Sequence, residues 1–334
     1  IGVKGEEKLT DNLSAVYLAE WEISADGDGD VFKNRNRFVG IKSNGVATLK
    51  VGQHDSYFKT AAGNNQDIFN DHNELDMTAV LAGEDRPKNI IGFETDKKLL
   101  GGLAFNIMFQ QGENAATSAT AKTSTTSLAG VTKETTVVTN YGLKDARDGF
   151  GDGVSASLTY ENKDMGLAAA VAANRAIASK FNAYDLSGIY TDAVRVTGSL
   201  DLGAMGASGL VLGALWQTAK PTDDVVAVIT TTKETNKPDT VKNNSFKGLK
   251  EDAYGVTAAY AIPSTPVKLK AQYISATTEV DGMKDRQQDL YGVGADYQIN
   301  KQARFYGIVA QQKRDWLTKD DKKTNIGLGM EYNF

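Results

Sequence analysis

Asn325-Ile-Gly-Leu-Gly-Met-Glu-Tyr-Asn-Phe334 closes the chain, and its alternation decides the fold. Ile326, Leu328, Met330, Tyr332 and Phe334 fall on one face; Asn325, Gly327, Gly329, Glu331 and Asn333 fall on the other. A period of two residues belongs to a β-strand, here with one apolar and one polar face. The same pattern returns at 253–262, where Tyr254, Val256, Ala258, Tyr260 and Ile262 alternate with small or polar residues. It returns again at 290–299, with Tyr291, Val293, Ala295, Tyr297 and Ile299, and in 103–110, 153–161 and 194–202.

Extending this reading along the chain gives fifteen strands: 1–9, 13–23, 35–43, 46–54, 86–95, 102–112, 149–162, 166–178, 188–202, 209–219, 250–262, 267–279, 289–299, 303–314 and 322–334. The alanine-rich run 166–178 has helical propensity, but a helix there would break the up-and-down order of its neighbours. Short turns such as Ser43–Val46 and Lys163–Met165 alternate with long polar loops such as His54–Asp85, Asn114–Asp148 and Lys220–Leu249. Short turns on one rim and long loops on the other define a membrane-spanning antiparallel barrel. The loops at 114–148 and 220–249, rich in Ser, Thr, Lys and Asn, read as solvated tips. The first turn is short and the last strand follows a long loop, so strands one and fifteen run the same way. An antiparallel barrel then needs a sixteenth strand ahead of Ile1.

Composition agrees with one barrel over 1–334. The 334 residues contain no Cys, 33 Gly and 5 Pro, with a net charge of −5. That excludes a disulfide scaffold or a thiolate metal site and gives no electrostatic case for nucleic acid. No apolar run reaches the roughly 18 residues of a membrane helix. Mean hydropathy of −0.35 is compatible with strands that are apolar on one face only. Glycines on the polar strand faces, as at Gly255, Gly292, Gly294, Gly327 and Gly329, suit an inner surface lining water rather than a packed core. By the same parity Arg195, Lys268 and Lys270 point inward and add positive lining. A hydrolytic barrel has little to work with. His54 and His72 are the only histidines, and no Gly-x-Ser-x-Gly elbow occurs. No cofactor is expected.

The sequence resembles the general diffusion porins of the Gram-negative outer membrane. Ile1-Gly-Val-Lys-Gly-Glu-Glu-Lys-Leu9 with Asn12-Leu13, Arg35-Asn-Arg-Phe-Val-Gly-Ile-Lys42, Leu49-Lys-Val-Gly52 and Arg86-Pro-Lys-Asn-Ile-Ile-Gly-Phe93 look like the family's early strands. Tyr332-Asn333-Phe334 resembles the terminal aromatic signal read by the barrel-assembly machinery. The resemblance implies sixteen strands with the first absent here. It also implies a homotrimer in outer-membrane lipid and lipopolysaccharide, and passive diffusion of ions and small hydrophilic solutes. It further implies a third loop, 54–85, folded into the lumen and facing a basic wall. Arg35 and Arg86 match wall positions. Lys50 joins them because it lies on the polar face of its strand, and Arg37 because it shares the parity of Arg35. Asp67, Asp71, Glu74 and Asp76 form a pool of acidic loop candidates, within a stretch, 67–81, that suits a short helix. A Pro-Glu-Phe-Gly-Gly run common in such loops is missing, so these acids are not aligned one by one. Tyr57, Phe58 and Phe69 leave open the alternative of a solute-specific channel with a saturable site.

Overall fold

The computed structural model describes residues 1–23, 32–69, 75–112, 117–126 and 131–332. The first six strands are β1 (Gly2–Lys8), β2 (Leu13–Ile23), β3 (Phe32–Ser43), β4 (Ala47–Gln53), β5 (Ile90–Thr95) and β6 (Leu103–Gln111). A hairpin β7 (Ser118–Thr126) and β8 (Thr132–Asn140) follows, then β9 (Phe150–Asn162), β10 (Leu167–Phe181), β11 (Leu186–Asp201) and β12 (Leu210–Pro221). A second hairpin, β13 (Ala227–Glu234) and β14 (Thr240–Ser245), precedes β15 (Lys250–Ala261), β16 (Val267–Glu279), β17 (Arg286–Gln298), β18 (Ala303–Arg314) and β19 (Lys322–Tyr332).

Fifteen of these strands make one antiparallel sheet, each beside its predecessor, in the order β1-β2-β3-β4-β5-β6-β9-β10-β11-β12-β15-β16-β17-β18-β19. They are the fifteen strands expected from the alternation, and the alanine-rich run is among them as β10. β1 and β19 are the two ends of this sheet. One boundary moves for a clear reason. β5 starts at Ile90 rather than residue 86, because Pro87 has no amide hydrogen to give and Asn89 sits at φ +55°.

The other four strands correct the reading of the long loops as mere solvated tips. β14-β13-β8-β7 form a separate antiparallel sheet, with Ala227 opposite Asn140 and Thr232 opposite Thr135. β7 reads Ser-Ala-Thr-Ala-Lys-Thr-Ser-Thr-Thr and buries no apolar face, so hydrophobic alternation cannot reveal it. Its threonines are nonetheless strong strand formers.

The two faces of the large sheet meet different surroundings. Ile326, Leu328, Val39 and Val293 are more than half exposed, as a lipid-facing surface requires. On the opposite face the described residues of 54–89 pack, and here the reading of the inner glycines needs correcting. Phe69, Leu75, Met77 and Leu81 are buried against Leu215, Ile274 and Leu290 in one apolar cluster. A Cβ at Gly292 would stand 2.2 Å from Leu75 Cδ2, and one at Gly294 would stand 2.8 Å from Phe69 Cε1. These glycines make room for a packed loop rather than for water. Gly292→Val therefore overpacks the interior at a cost of about 1–3 kcal/mol. Urea unfolding in detergent should show this loss, and adding Leu75→Ala should give a double variant more stable than the sum of the two single changes.

Candidate functional site

Leaving β4 at Gln53, the chain crosses the interior before re-entering the sheet at Ile90. Ser56 caps a one-turn helix, α1 (Tyr57–Thr60), its Oγ accepting the Lys59 amide at 3.1 Å. A second turn, α2, spans Gly63–Gln66. The helix expected over 67–81 does not form among the described residues. At the described residues of this stretch Leu75 is 3-10 helical and a 3-10 turn spans Met77–Ala79, with Asp76 Oδ1 accepting the Thr78 amide at 2.8 Å. The physical reason lies in where the Leu75 and Ala79 carbonyls are satisfied, and the wall takes the flanking Ala61 and Ala82 carbonyls in the same way. Thr197 Oγ1 donates to the Ala61 carbonyl at 2.8 Å and Gln217 Nε2 to that of Ala82 at 2.9 Å. Gln272 Nε2 donates to Leu75 at 2.8 Å and Gln288 Nε2 to Ala79 at 3.1 Å. Wall side chains thus do the work that helical amides would otherwise do.

Arg195 on β11 anchors this arrangement. It is fully buried, and its Nη2 bonds the Glu84 carboxylate while its Nε donates to Gln217 Oε1 at 3.0 Å. Nη1 donates to the Phe58 carbonyl at 3.3 Å, and the guanidinium stacks 4.3 Å from the Phe58 ring centre. Lys270 pairs with Asp296 at 3.0 Å and lies 4.9 Å from the Phe69 ring centre. Both were expected to line open water; both instead clamp the loop to β11, β12 and β16. Lys268 is exposed.

The expected basic wall lies on β3, β4 and the approach to β5. Lys50 Nζ bonds Glu94 Oε1 at 2.5 Å and sits 4.8 Å from the Phe38 ring centre. Arg35 pairs with Glu20 at 3.2 Å and Glu22 at 3.5 Å. Arg86 donates through Nε to Asn36 Oδ1 at 2.9 Å and pairs with Asp55 at 2.9 Å. Asp55 also meets Lys59 at 3.4 Å and accepts from Asn36 at 2.8 Å. Arg37 departs from the group. The register passes from Trp21–Asn34 to Ala19–Arg37, so Arg35 and Asn36 together oppose Glu20 in a bulge. The bulge breaks the shared parity of Arg35 and Arg37. Arg37 therefore lies on the face of Val39 and Ile41 and donates to Gln53 Oε1 at 2.9 Å.

Of the acidic pool, Asp67 and Asp76 are described; Asp71 and Glu74 lie outside the described residues. Burial, then the neighbouring charges of Glu84 and Asp76, push the Asp67 carboxyl up to about 8. Burial pushes Asp85 up to about 7. Burial acts on Asp55 in the same sense, but the charges of Lys59 and Arg86 and the Asn36 amide outweigh it and hold that carboxyl below its usual range. The partners Asn36, Asp55, Lys59 and Glu94 were not read from the sequence. Their signal is opposite charge on adjoining strands: Glu94 opposes Thr48, two residues from Lys50. A cavity of about 590 Å³ lies against β1–β5, lined by Lys4, Glu6, Phe38, Lys42, Lys50 and Glu94. Open space thus adjoins Lys50 and Glu94 of the wall, whereas the loop packs against side chains of β11, β12, β16 and β17.

An up-and-down antiparallel sheet, apolar outside and charged toward an internal cavity, is the construction of an outer-membrane β-barrel channel. The comparisons agree. The chain belongs to the Gram-negative porin family, whose model matches residues 1–316. It is 30% identical over 116 residues to the major outer membrane protein P.IB of Neisseria meningitidis serogroup B, a match covering 34% of this chain and about a third (33%) of that relative's length. The anion-selective porin of Comamonas acidovorans superposes with a TM-score of 0.61 at 18% identity, over 100% of this chain and 88% of that one. OmpF of Salmonella typhi, solved with daunomycin, gives a TM-score of 0.60 at 16% identity, over 100% of this chain and 89% of that one. By family the protein is a Gram-negative porin of the outer membrane.

The raised carboxyls set a pH dependence. An acid whose folded value lies above its solvent value stays protonated when docked while the free form ionises, so docking weakens as pH rises through that window. For Asp67 and Asp85 the window runs from about 4, the solvent value, to about 8 and about 7 respectively. Protease cleavage within 54–89 should therefore rise from pH 5 to pH 8 and then level off. Asp67→Asn with Asp85→Asn should flatten the profile.

Proposed function

We propose that the chain acts as one unit over 1–334, a passive diffusion channel for ions and small hydrophilic solutes, with its constriction between the inward loop and a basic wall. In this reading Arg35, Lys50 and Arg86 carry the wall, while Asp71, Glu74 and Asp76 supply the acidic side and Asp67, its carboxyl raised by burial, joins them only at higher pH. Arg37 is the outlying member of the basic set, turned toward Gln53. The observation that carries the reading is the docking of residues 54–85 on the far inner wall through Arg195, Gln217, Gln272 and Gln288. That docking leaves the aperture to the charged side of the interior. Acids and bases across a narrow, low-dielectric opening orient water and dipolar solutes, and no covalent step is involved. A homotrimer in outer-membrane lipid and lipopolysaccharide, assembled through the Phe334 signal, fits the same reading; Phe334 itself lies outside the described residues.

The wall bases carry acid partners, so removing Lys50 leaves Glu94 uncompensated and removing Arg86 leaves Asp55 with Lys59 alone. The test is a reversal potential in planar bilayers. Arg35→Gln, Lys50→Gln and Arg86→Gln combined should move it in the cation-selective direction by about 10 mV, out of the ~59 mV that a tenfold gradient of a singly charged carrier develops. An unchanged reversal potential would remove these residues from the constriction, and absence of conductance in the wild type would overturn the channel reading itself.

A further inference from the structure

A second cavity, of about 800 Å³, opens on the long-loop side of the docked segment, away from the wall just described. Its volume is that of a small-molecule site. Tyr184, at the end of the turn between β10 and β11, and Trp316, just after β18, supply aromatic surface. Between them stands Arg286, the first residue of β17, with its guanidinium carbon 3.9 Å from the Tyr184 ring centre and 5.5 Å from that of Trp316. Its Nη1 donates to the Ala183 carbonyl at 2.7 Å, which fixes the group in place. Tyr184 is held in turn by Phe246, ring centres 5.4 Å apart. Arg314 enters from β18, its Nη2 donating to Gln312 Oε1 at 3.2 Å.

The charge pattern sets this cavity apart. Arg35, Arg86, Arg195 and Arg304 each pair with a carboxylate. Among the described residues, Arg286 and Arg314 pair with none, as Arg37, Arg147 and Arg175 also do not, but Arg286 and Arg314 line one cavity together. Lys180, also in the lining, is matched by Asp185 at 3.2 Å. The nearby Asp315 carboxylate accepts the Gln287 amide at 2.8 Å instead of turning to either arginine. Two guanidinium groups therefore share a cavity with unbalanced positive charge, beside two aromatic rings. Guanidinium forks match the oxygens of carboxylate and phosphate, and aromatic faces take flat rings.

We infer that this cavity is a binding site for small ring-bearing anions, a sugar or aromatic ring carrying a carboxylate or phosphate, which it holds on the outer side of the constriction. The site rests on the channel reading only in that current through the pore reports its occupancy. Arg286 and Arg314 supply the anion contacts, and Trp316 the stacking surface. Such a site concentrates its solute ahead of the aperture and makes flux of that class saturable.

The experiment is current block of the full chain in planar bilayers, with solute added on the long-loop side. The probes are glucose 6-phosphate and glucuronate, with glucose and inorganic phosphate as comparisons. The two ring anions should interrupt the current with saturable dependence, and glucose and phosphate should act at least about tenfold more weakly, the equivalent of ~1.4 kcal/mol. Arg286→Gln with Arg314→Gln should weaken the ring-anion block by about tenfold or more. Trp316→Ala should weaken it while leaving the response to inorganic phosphate as it was. A response to only one ring anion assigns the site to that head group. Equal block by glucose, or a block unchanged in the double variant, would overturn the site. Should the double variant fail to assemble, wild type decides: the block must fade as KCl rises, and a salt-independent block would overturn the proposal. Conductance without solute is read in the same recordings, so a closed or absent channel is distinguished from an open channel that lacks this site.

Discussion

A stretch of backbone with no strand to pair with governs the interior. The described residues of 54–89 join none of the sheet's ladders, so their amides and carbonyls need partners from side chains or water. The wall meets that demand with Thr197, Gln217, Gln272 and Gln288, which donate to loop carbonyls. Glu251 and Ser179 accept from the Ala82 and Gly83 amides at 2.7 Å each. Arg195 joins wall, loop carboxylate and loop carbonyl at once. Because the donors lie on β11, β12, β16 and β17, the loop is drawn to that side, and the open charged region is left against β1–β5.

Apolar and polar groups divide the holding of the loop between them. Phe69, Leu75 and Met77 bury apolar surface in hollows left by Gly292 and Gly294, which is non-directional attraction. The amide and guanidinium contacts fix the register of the segment. A buried arginine of this kind is costly when its partner is removed, since the remaining charge has no water to turn to. Glu84 and Arg195 are therefore better regarded as one structural unit than as an acid and a base available to solutes.

Much of this was legible in the sequence. Strand number, up-and-down order and the outward faces follow from a two-residue period that the lipid enforces along every strand, as Ile326–Leu328–Met330 displays. The family match at 1–316 agrees with the resemblance of the early strands, while the terminal run 325–334 lies beyond the matched residues. What did not follow was anything decided across the interior. The parity of Arg195 and Lys270 gave their face correctly, but could not tell water from a packed loop. The bulge opposite Glu20 separates Arg35 from Arg37 through a pairing irregularity that neither strand's composition announces. At the described residues 75–81 the expected loop helix gives way to 3-10 turns, the Leu75 and Ala79 carbonyls being taken by Gln272 and Gln288, about two hundred residues away. β7 and β8 escaped because threonine-rich strands in water carry no apolar stripe.

The small sheet has a consequence for how the outer surface can change. Its central pair, β8 and β13, comes from two loops whose bases lie between β6 and β9 and between β12 and β15. Eight residues of each are matched in a fixed register, from Ala227–Asn140 to Glu234–Lys133. An insertion of one residue in either strand would turn its side chains over and leave the other unmatched. Exposed loops ordinarily drift in length independently; these two must drift together. The outward surface of the protein is thus inherited as a joined pair of segments, and a change that suits one loop has to be acceptable to a partner nearly ninety residues along the chain.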